Sequence, residues 1–522
     1  MGTKHSRFIM ILNGLFLVLT FVVANPSMAA DLNKAALIPK PVSVKATDGS
    51  FELKSGAVVC IGEGHSDLLP VANYLTDRLN PATGFNVTVQ VAGVIPSSNY
   101  ILLEIDSSKS QLGKEGYELT ITKENIKLSA GTAEGVFRGI QTIRQLLPAS
   151  IESSKQQKGP WKIGTGTILD YPSYSYRGSM LDVARHFFSA EDIKRFIDLI
   201  AAYKMNILHL HLADDQGWRI EIKSWPALTE IGGMTQVGGG KGGFYTQEVY
   251  KEIVRYAADR FITIIPEIDM PGHTNAALAS VPELNPDNHP TKLYTGTNVG
   301  FSTLQTNKEF TYKFLNDVIR ELSELTPGPY IHIGGDESHV TKKEDYIPFI
   351  ERVQEIVMAN GKLMIGWDET TLSALKPSTV AQYWSKAENA SRGVSQGVKI
   401  IMSPAAKAYL DMKYNPKTKL GLHWAGYVEV DTGYNWDPAT LVPGITKENI
   451  LGIECPLWSE TVTNMKEIES LVFPRLPGYA EIGWTEATNR KWEEYKVRLG
   501  HQAERFKVMD INYYRSAKVQ WK

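Results

Sequence analysis

The chain has 522 residues, with 55 Lys+Arg against 57 Asp+Glu and a hydrophobic share of 43%. Such a chain buries a large core in about two to four domains, or in one α/β barrel of about 250 residues with a companion. The near-neutral balance excludes a nucleic-acid binder, which needs a basic excess or stripe. Two cysteines, Cys60 and Cys455, exclude a disulfide scaffold and a cysteine-built zinc site.

Residues 1–30 read as a secretory signal peptide. Lys4 and Arg7 precede an apolar run from Phe8 to Ala24, and Ser27-Met28-Ala29 supplies small residues at a cleavage-like spacing. An uncleaved anchor is the alternative, though the run is at the low end for a span. The expected location is periplasmic or extracellular. No later run is long enough to span a bilayer, so no stable membrane span is expected once the signal is removed. Export permits a Cys60–Cys455 bridge, but cysteines so far apart are expected to stay free.

Residues 31–165 are predicted to form a small α+β domain. Val87–Val91 and Tyr117–Thr122 alternate like strands, and Ala133–Leu147 reads as a helix stopped by Pro148. A polar linker, residues 150–159, follows.

Over 171–515 the pattern changes to short apolar runs alternating with amphipathic helices. The runs are Gly178–Ala184, Ile207–Ala213, Ile262–Ile268, Tyr330–Ile333, Leu363–Trp367, Val380–Trp384, Val398–Met402 and Leu451–Trp458. Ser189 and Asp192 predict a capping box ahead of Ile193, Phe196, Ile197 and Ile200, and Thr306 with Glu309 predicts another ahead of Phe310. Eight β-runs separated by helices predict a (β/α)8 barrel. A doubly wound sheet is the alternative, but no G-x-G-x-x-G follows a first strand. The glycines at 238–243 lack the spacing of a phosphate loop and read as a flexible loop.

A barrel places its chemistry at the C-terminal ends of its strands. There the sequence carries Asp182 with Arg185 and His186, Asp214-Asp215, Glu267 and Asp269, Asp336-Glu337, Trp367-Asp368-Glu369, Tyr383-Trp384, and Trp458 with Glu460. Carboxylates suit bond cleavage and indole faces suit the C–H faces of a sugar ring. Strand-end acids also cap helices, but not at so many equivalent positions. Asp336 and Glu337 are neighbours, and Gly334-Gly335 ahead of them allows the bend that brings both to one place. His209-Leu-His211 resembles a metal pair. No Cys completes such a site, and the plainer reading is two buried, hydrogen-bonded histidines; a metal-dependent amidohydrolase and a non-catalytic carbohydrate-binding barrel remain the competing readings.

The segments YRGSMLDVARHF (176–187), KMNILHLHLADDQGWRIEI (204–222), PEIDMPGHT (266–274), HIGGDE (332–337), GWDE (366–369) and WSE (458–460) resemble glycoside hydrolase family 20, the β-N-acetylhexosaminidases. Residues 37–148 resemble that family's accessory domain. The resemblance implies a glycan or oligosaccharide substrate with a terminal N-acetylhexosamine, either GlcNAc or GalNAc, and neither cofactor nor metal. It implies exo cleavage with retention, in which the substrate's own acetamido oxygen attacks the anomeric carbon to form an oxazolinium, an exception to the two-carboxylate scheme. Glu337 is then the general acid and base, Asp336 the partner of the acetamido N–H, and Tyr409 the donor to its oxygen. Trp367, Trp384 and Trp458 wall the acetamido pocket. Arg185, Asp411 and Glu460 bind distal hydroxyls with Asp214 close by, Trp424 lies on the leaving-group side, and His273 and Asp269 support the acid. Asp215, Trp218 and Arg219 read as structural. Ionised Asp336 is expected to lift its neighbour Glu337 towards working pH.

Overall fold

The computed structural model describes residues 1–2, 31–91 and 93–522. Apart from Met1 and Gly2, the predicted signal segment lies outside the described residues. Among the described residues no helix is long and apolar enough to cross a membrane.

The N-terminal unit is a seven-stranded sheet. Its strands are β1 (Ser43–Leu53), β2 (Val58–Ile61), β3 (Thr88–Val91), β4 (Tyr100–Ile105), β5 (Tyr117–Ile121), β6 (Asn125–Ala130) and β7 (Trp161–Asp170), in the order β1-β7-β5-β6-β4-β2-β3. Alternation sets the buried face, as β5 shows with Tyr117, Leu119 and Ile121 inward. The helix Ala133–Leu146 packs on the sheet through Val136, Phe137, Ile140 and Ile143, all fully buried. Thr132 caps it by accepting from the Gly135 amide at 3.2 Å. Because β7 pairs with β1 and β5, the sheet continues past residue 165 to Asp170.

Buried ion pairs join this unit to the barrel. Glu115 accepts from Arg138 at 2.9 Å and from Arg177 Nη1 at 2.9 Å. Asp170 accepts from Lys204 at 2.8 Å and from the Trp484 indole at 2.8 Å. Removing Glu115 leaves two buried guanidiniums without it, at a cost of roughly 3–5 kcal/mol.

The barrel strands are β8 (Tyr176–Asp182), β9 (Ile207–His211), β12 (Thr263–Glu267), β13 (Tyr330–His332), β14 (Leu363–Trp367), β15 (Val380–Tyr383), β16 (Lys399–Met402) and β17 (Ile450–Leu457); β10 (Ala213–Asp214) and β11 (Gly217–Trp218) form a separate ribbon. All eight predicted runs are barrel strands, closed in the order β12-β13-β14-β15-β16-β17-β8-β9 with parallel pairing. The Ser189–Asp192 capping box is present at the start of Ala190–Ala201. The Thr306 box is not. The helix Glu309–Leu325 has Lys308 at its N-cap with no side-chain cap, and Thr306 instead accepts the Tyr312 hydroxyl on its carbonyl at 2.6 Å. Thr306 stands two positions too early to reach the first helical amides.

Strand register prepares the site. Asp182 pairs with His211, His211 with Glu267, and Glu267 with His332, so four polar residues stand side by side at the C-terminal ends of consecutive strands. Cys60 and Cys455 are both free and buried.

Candidate active site

After β13 the chain turns sharply. Gly334 and Gly335 have φ of +65° and +97°, and Glu337 itself has φ of +45°. A Cβ on Gly334 would lie 1.8 Å from Asp269 Oδ1, so only glycine lets this turn press against Asp269. Asp269 in return accepts the Gly335 amide at 3.0 Å. The turn buries Asp336, while the Glu337 side chain keeps 28% exposure.

Both residues line a cavity of about 350 Å³ at the C-terminal end of the barrel, shared with Arg185, Trp384, Tyr409, Asp411, Trp424, Trp458 and Glu460. Nine of the predicted site residues therefore meet in one place. One wall is aromatic. Trp384 lies nearly parallel to Tyr409, with centroids 6.5 Å apart at 17°, and Trp424 stands edge-on to both. Trp424 is 57% exposed and marks the open side. Arg185 lies over the Trp458 ring at 4.7 Å and pairs with Asp214 at 2.8 Å. Asp182 fixes the turn carrying Arg185 by accepting the Ala184 and Arg185 amides at 2.8 and 3.1 Å.

Several buried atoms here have no hydrogen-bond partner among the described residues: both carboxyl oxygens of Asp411, Glu460 Oε2, Asp336 Oδ1 and Arg185 Nε. Buried polar groups are costly unless satisfied. A polyhydroxylated ligand offers donors and acceptors to such a set, and aromatic walls offer its ring a face.

Asp214, His273 and Trp367, expected at the substrate, instead lie beneath the cavity surface. Trp367 is fully buried between Trp458 and His332, and its indole donates to Glu267 at 2.9 Å. His273 Nδ1 is 3.3 Å from Asp214 Oδ1, and its Nε2 is 3.6 Å from Glu337 Oε2 and 3.8 Å from Asp336 Oδ2. Asp215 accepts the Asn275 amide at 2.9 Å, Trp218 donates to the Ile220 carbonyl at 2.7 Å, and Arg219 holds the carbonyls of Val183, Ala184, Gly233, Thr235 and Gly243. These three brace the loops around the rim.

The cavity also uses residues that sequence reasoning passed over. Thr297 and Val299 come from a loop without period, and Leu422 from another. Glu369, within the GWDE segment, accepts the Trp384 indole at 2.9 Å and orients it. His209 and His211 are buried and engaged by carboxylates: Glu454 and Glu267 for His209, Glu267 and Asp214 for His211. Groups with the donor set of a cation site do occur, such as His211 with Asp214 and Asp269. In that group both His211 nitrogens face carboxylates at hydrogen-bond distance, the arrangement of a proton donor rather than of a lone-pair ligand.

Residues 174–487 match the catalytic domain of glycosyl hydrolase family 20, and residues 34–171 match domain 2 of the same family. The chain belongs to glycoside hydrolase family 20. It is 38% identical to the β-N-acetylhexosaminidase of Cellulomonas fimi over 93% of this chain and 97% of that one. The family 20 β-N-acetylhexosaminidase structure from Streptomyces coelicolor superposes with a TM-score of 0.91 at 46% identity, covering 95% of this chain and 100% of the other. A Streptomyces plicatus β-hexosaminidase, solved with its product GlcNAc, superposes with a TM-score of 0.90 at 46% identity over 94% and 98% of the two chains. The protein is a glycoside hydrolase of the β-N-acetylhexosaminidase type.

Electrostatics in this family 20 enzyme run opposite to one expectation. Burial, then the nearby Asp269 and Glu337 carboxyls, push Asp336 well above the usual carboxylate range. Glu337 is held below its ordinary value: burial opposes this, but the His273 contact and charge outweigh it, with help from Arg185. Asp336 is the more deeply buried, and Glu337 sits nearer water and a cation. In the free enzyme the shared proton therefore favours Asp336. Tyr409 stays a phenol, lifted well above its ordinary value by burial and by Asp336 and Asp411. Burial raises Asp269 to about 7, and burial with Asp368 and Asp336 raises Glu369 to about 8.

Proposed function

We propose that the enzyme releases single terminal β-linked N-acetylhexosamine residues from glycans or chitooligosaccharides, with retention and with the substrate's acetamido oxygen as nucleophile. The observation that carries this reading is the division of labour in the cavity. A buried Asp336 and a phenolic Tyr409 share an aromatic pocket, while Glu337 stands at its more open side.

In the first step the acetamido carbonyl oxygen attacks C1. The C1–O bond to the leaving group breaks, and Glu337 delivers its proton to that oxygen. Tyr409 donates to the acetamido oxygen and orients it. Asp336 accepts the acetamido N–H and, as an anion, offsets the positive charge of the oxazolinium. In the second step Glu337 takes a proton from water, whose oxygen attacks C1 and opens the ring. Two inversions give retention. Substrate itself corrects the resting proton distribution. The acetamido N–H favours ionised Asp336, and a sugar covering Glu337 excludes water and favours its protonated form. His273, held by Asp214, aims Glu337.

Exo action follows from the floor. Arg185, Asp411 and Glu460 close the cavity behind one ring, with Asp411 oxygens ready for hydroxyl donors. Trp424 receives the leaving group on the exposed side. The predicted signal segment supports export to the periplasm or beyond, which N-terminal sequencing of secreted protein tests.

The deciding measurement is hydrolysis of paired aryl β-N-acetylglucosaminide and aryl β-glucoside. Only the first should turn over. Equal rates overturn substrate assistance, because glucose has no acetamido group.

A further inference from the structure

Beneath the cavity floor runs a chain of alternating acids and histidines. Glu267, at the end of β12, is fully buried, and its Oε2 lies 2.5 Å from His211 Nδ1. His211 Nε2 lies 2.8 Å from Asp214 Oδ2. Asp214 Oδ1 lies 3.3 Å from His273 Nδ1, and His273 Nε2 lies 3.6 Å from Glu337 Oε2. His211 thus presents both nitrogens to carboxylates at hydrogen-bond distance and carries two protons, whereas His273 Nε2 stands just beyond that distance from Glu337. Five groups from three strand ends form one line from the barrel interior to the proposed acid, made possible by the pairing of His211 with Glu267 across β9 and β12.

We infer that His211 and Glu267 are positioning residues for Glu337: they fix Asp214, Asp214 fixes His273, and His273 sets the aim and protonation of the acid. This rests on the reading of Glu337 as general acid and base. Two cations compete for Asp214. Its Oδ2 faces both His211 at 2.8 Å and Arg185 at 2.8 Å, and Arg185 belongs to the sugar floor. Without His211, Asp214 answers to Arg185 alone on that oxygen, and the pull of Arg185 opposes the Asp215 amide that keeps Oδ1 toward His273. His273 would then lose its anion, and Glu337 the cation beside it.

The surrounding charges fix the sign. His273 also faces Asp215 at 4.0 Å and Asp336 at 3.8 Å, with Asp269 close enough to share a donor cluster. His211 also faces Arg185 Nη1 at 3.4 Å, Asp269 within the same kind of cluster, and the edge of Trp458. Glu267 also faces His209 at 2.9 Å and His332 at 3.0 Å. Loss of cationic His273 removes the largest of the groups that lower Glu337 and leaves Arg185 and His339 against burial, so its proton is held to higher pH.

The test is the pH profile of kcat/KM for full-length His211→Asn and Glu267→Gln, on an activated aryl glycoside and on an unactivated disaccharide. The alkaline limb, where Glu337 loses its proton, should move to higher pH in both. Rates on the poor leaving group should fall roughly 10- to 100-fold, and less on the aryl glycoside, within the range of general-acid effects. In a Glu337→Gln background the same substitutions should add nothing to the leaving-group discrimination. Tyr176→Phe is the structural comparison: its hydroxyl donates to Glu454 in the same buried network but off the line to Glu337, so it should lower Tm without moving the limb. Should both variants unfold, ¹⁵N-histidine spectra of the wild type decide, since His211 must stay doubly protonated at pH 6 to 8. An unmoved alkaline limb in a folded variant, or a neutral His211, overturns the inference. If Glu337→Gln alone fails to discriminate leaving groups, the reading of Glu337 is what falls.

Discussion

Asp336→Asn isolates a charge from a shape. Asparagine keeps the size of the side chain and one carbonyl oxygen for the acetamido N–H, but it cannot become an anion. Asp336 is 7% exposed, and its Oδ1 has no partner among the described residues, so the anion acts in a site largely cleared of water. A unit charge about 4 Å from the forming oxazolinium, at an effective dielectric near 20, contributes about 4 kcal/mol. That corresponds to a loss of roughly 10³-fold in kcat. The assay is kcat and KM on a 4-nitrophenyl β-N-acetylglucosaminide and on an unactivated disaccharide. Both rates should fall by similar factors, because the same ring closure at C1 accompanies departure of either leaving group. Stability should move the other way. Burial, Asp269 and Glu337 all disfavour the Asp336 anion in the free protein, so the neutral amide should raise Tm. A folded variant that loses less than tenfold in kcat, or that changes KM alone, refutes the charge argument.

Tyr409→Phe removes a single donor aimed at a developing charge; kcat should drop about 10²- to 10³-fold with the fold intact by circular dichroism. Gly334→Ala should cost roughly 2 kcal/mol or more in urea unfolding and abolish most activity, since φ is +65° and the new Cβ would meet Asp269 Oδ1 at 1.8 Å. Stability should fall between pH 6 and 9. Asp269 at about 7 and Glu369 at about 8 are raised above their unfolded values chiefly by burial, and His209 is raised to about 9 by Glu454 and Glu267 against the effect of burial. Each binds its proton more tightly in the native state, so each contributes stability that is lost as pH rises through its folded pKa. Glu369→Gln should flatten the part of the Tm slope near pH 8, and an unchanged slope would count against that assignment. Dialysis against a chelator should leave activity unchanged, whereas a metal-dependent amidohydrolase would lose it.

Much of this protein was legible in one dimension. Eight apolar runs became eight barrel strands because a buried parallel strand must be apolar along its length. Acids and tryptophans at the ends of those runs met at one rim because strand ends in a closed barrel converge whatever the intervening loops do. Gly334-Gly335 forecast a turn, and the turn is there. Ser189 forecast a cap correctly, while Thr306 did not, since a cap depends on where the helix starts and packing moved that start to Glu309.

Depth was not legible. Trp367, His273 and Asp214 stand at strand ends like the residues that line the cavity, yet they lie under it. Which of two neighbours reaches the surface depends on how much backbone packs behind each. Proton placement belonged to the tertiary structure as well. Adjacent acids Asp336 and Glu337 suggest a coupled pair, but only the burial of one and the approach of His273 to the other decide which holds the proton. The line from Glu267 to Glu337 crosses three separate segments of the chain, and no local pattern announces it. The sequence by itself determined the barrel, the rim and the chemical class, because these follow from periodicity and residue type. Only the tertiary structure decided reach, burial and charge state, because those depend on distances between residues far apart along the chain.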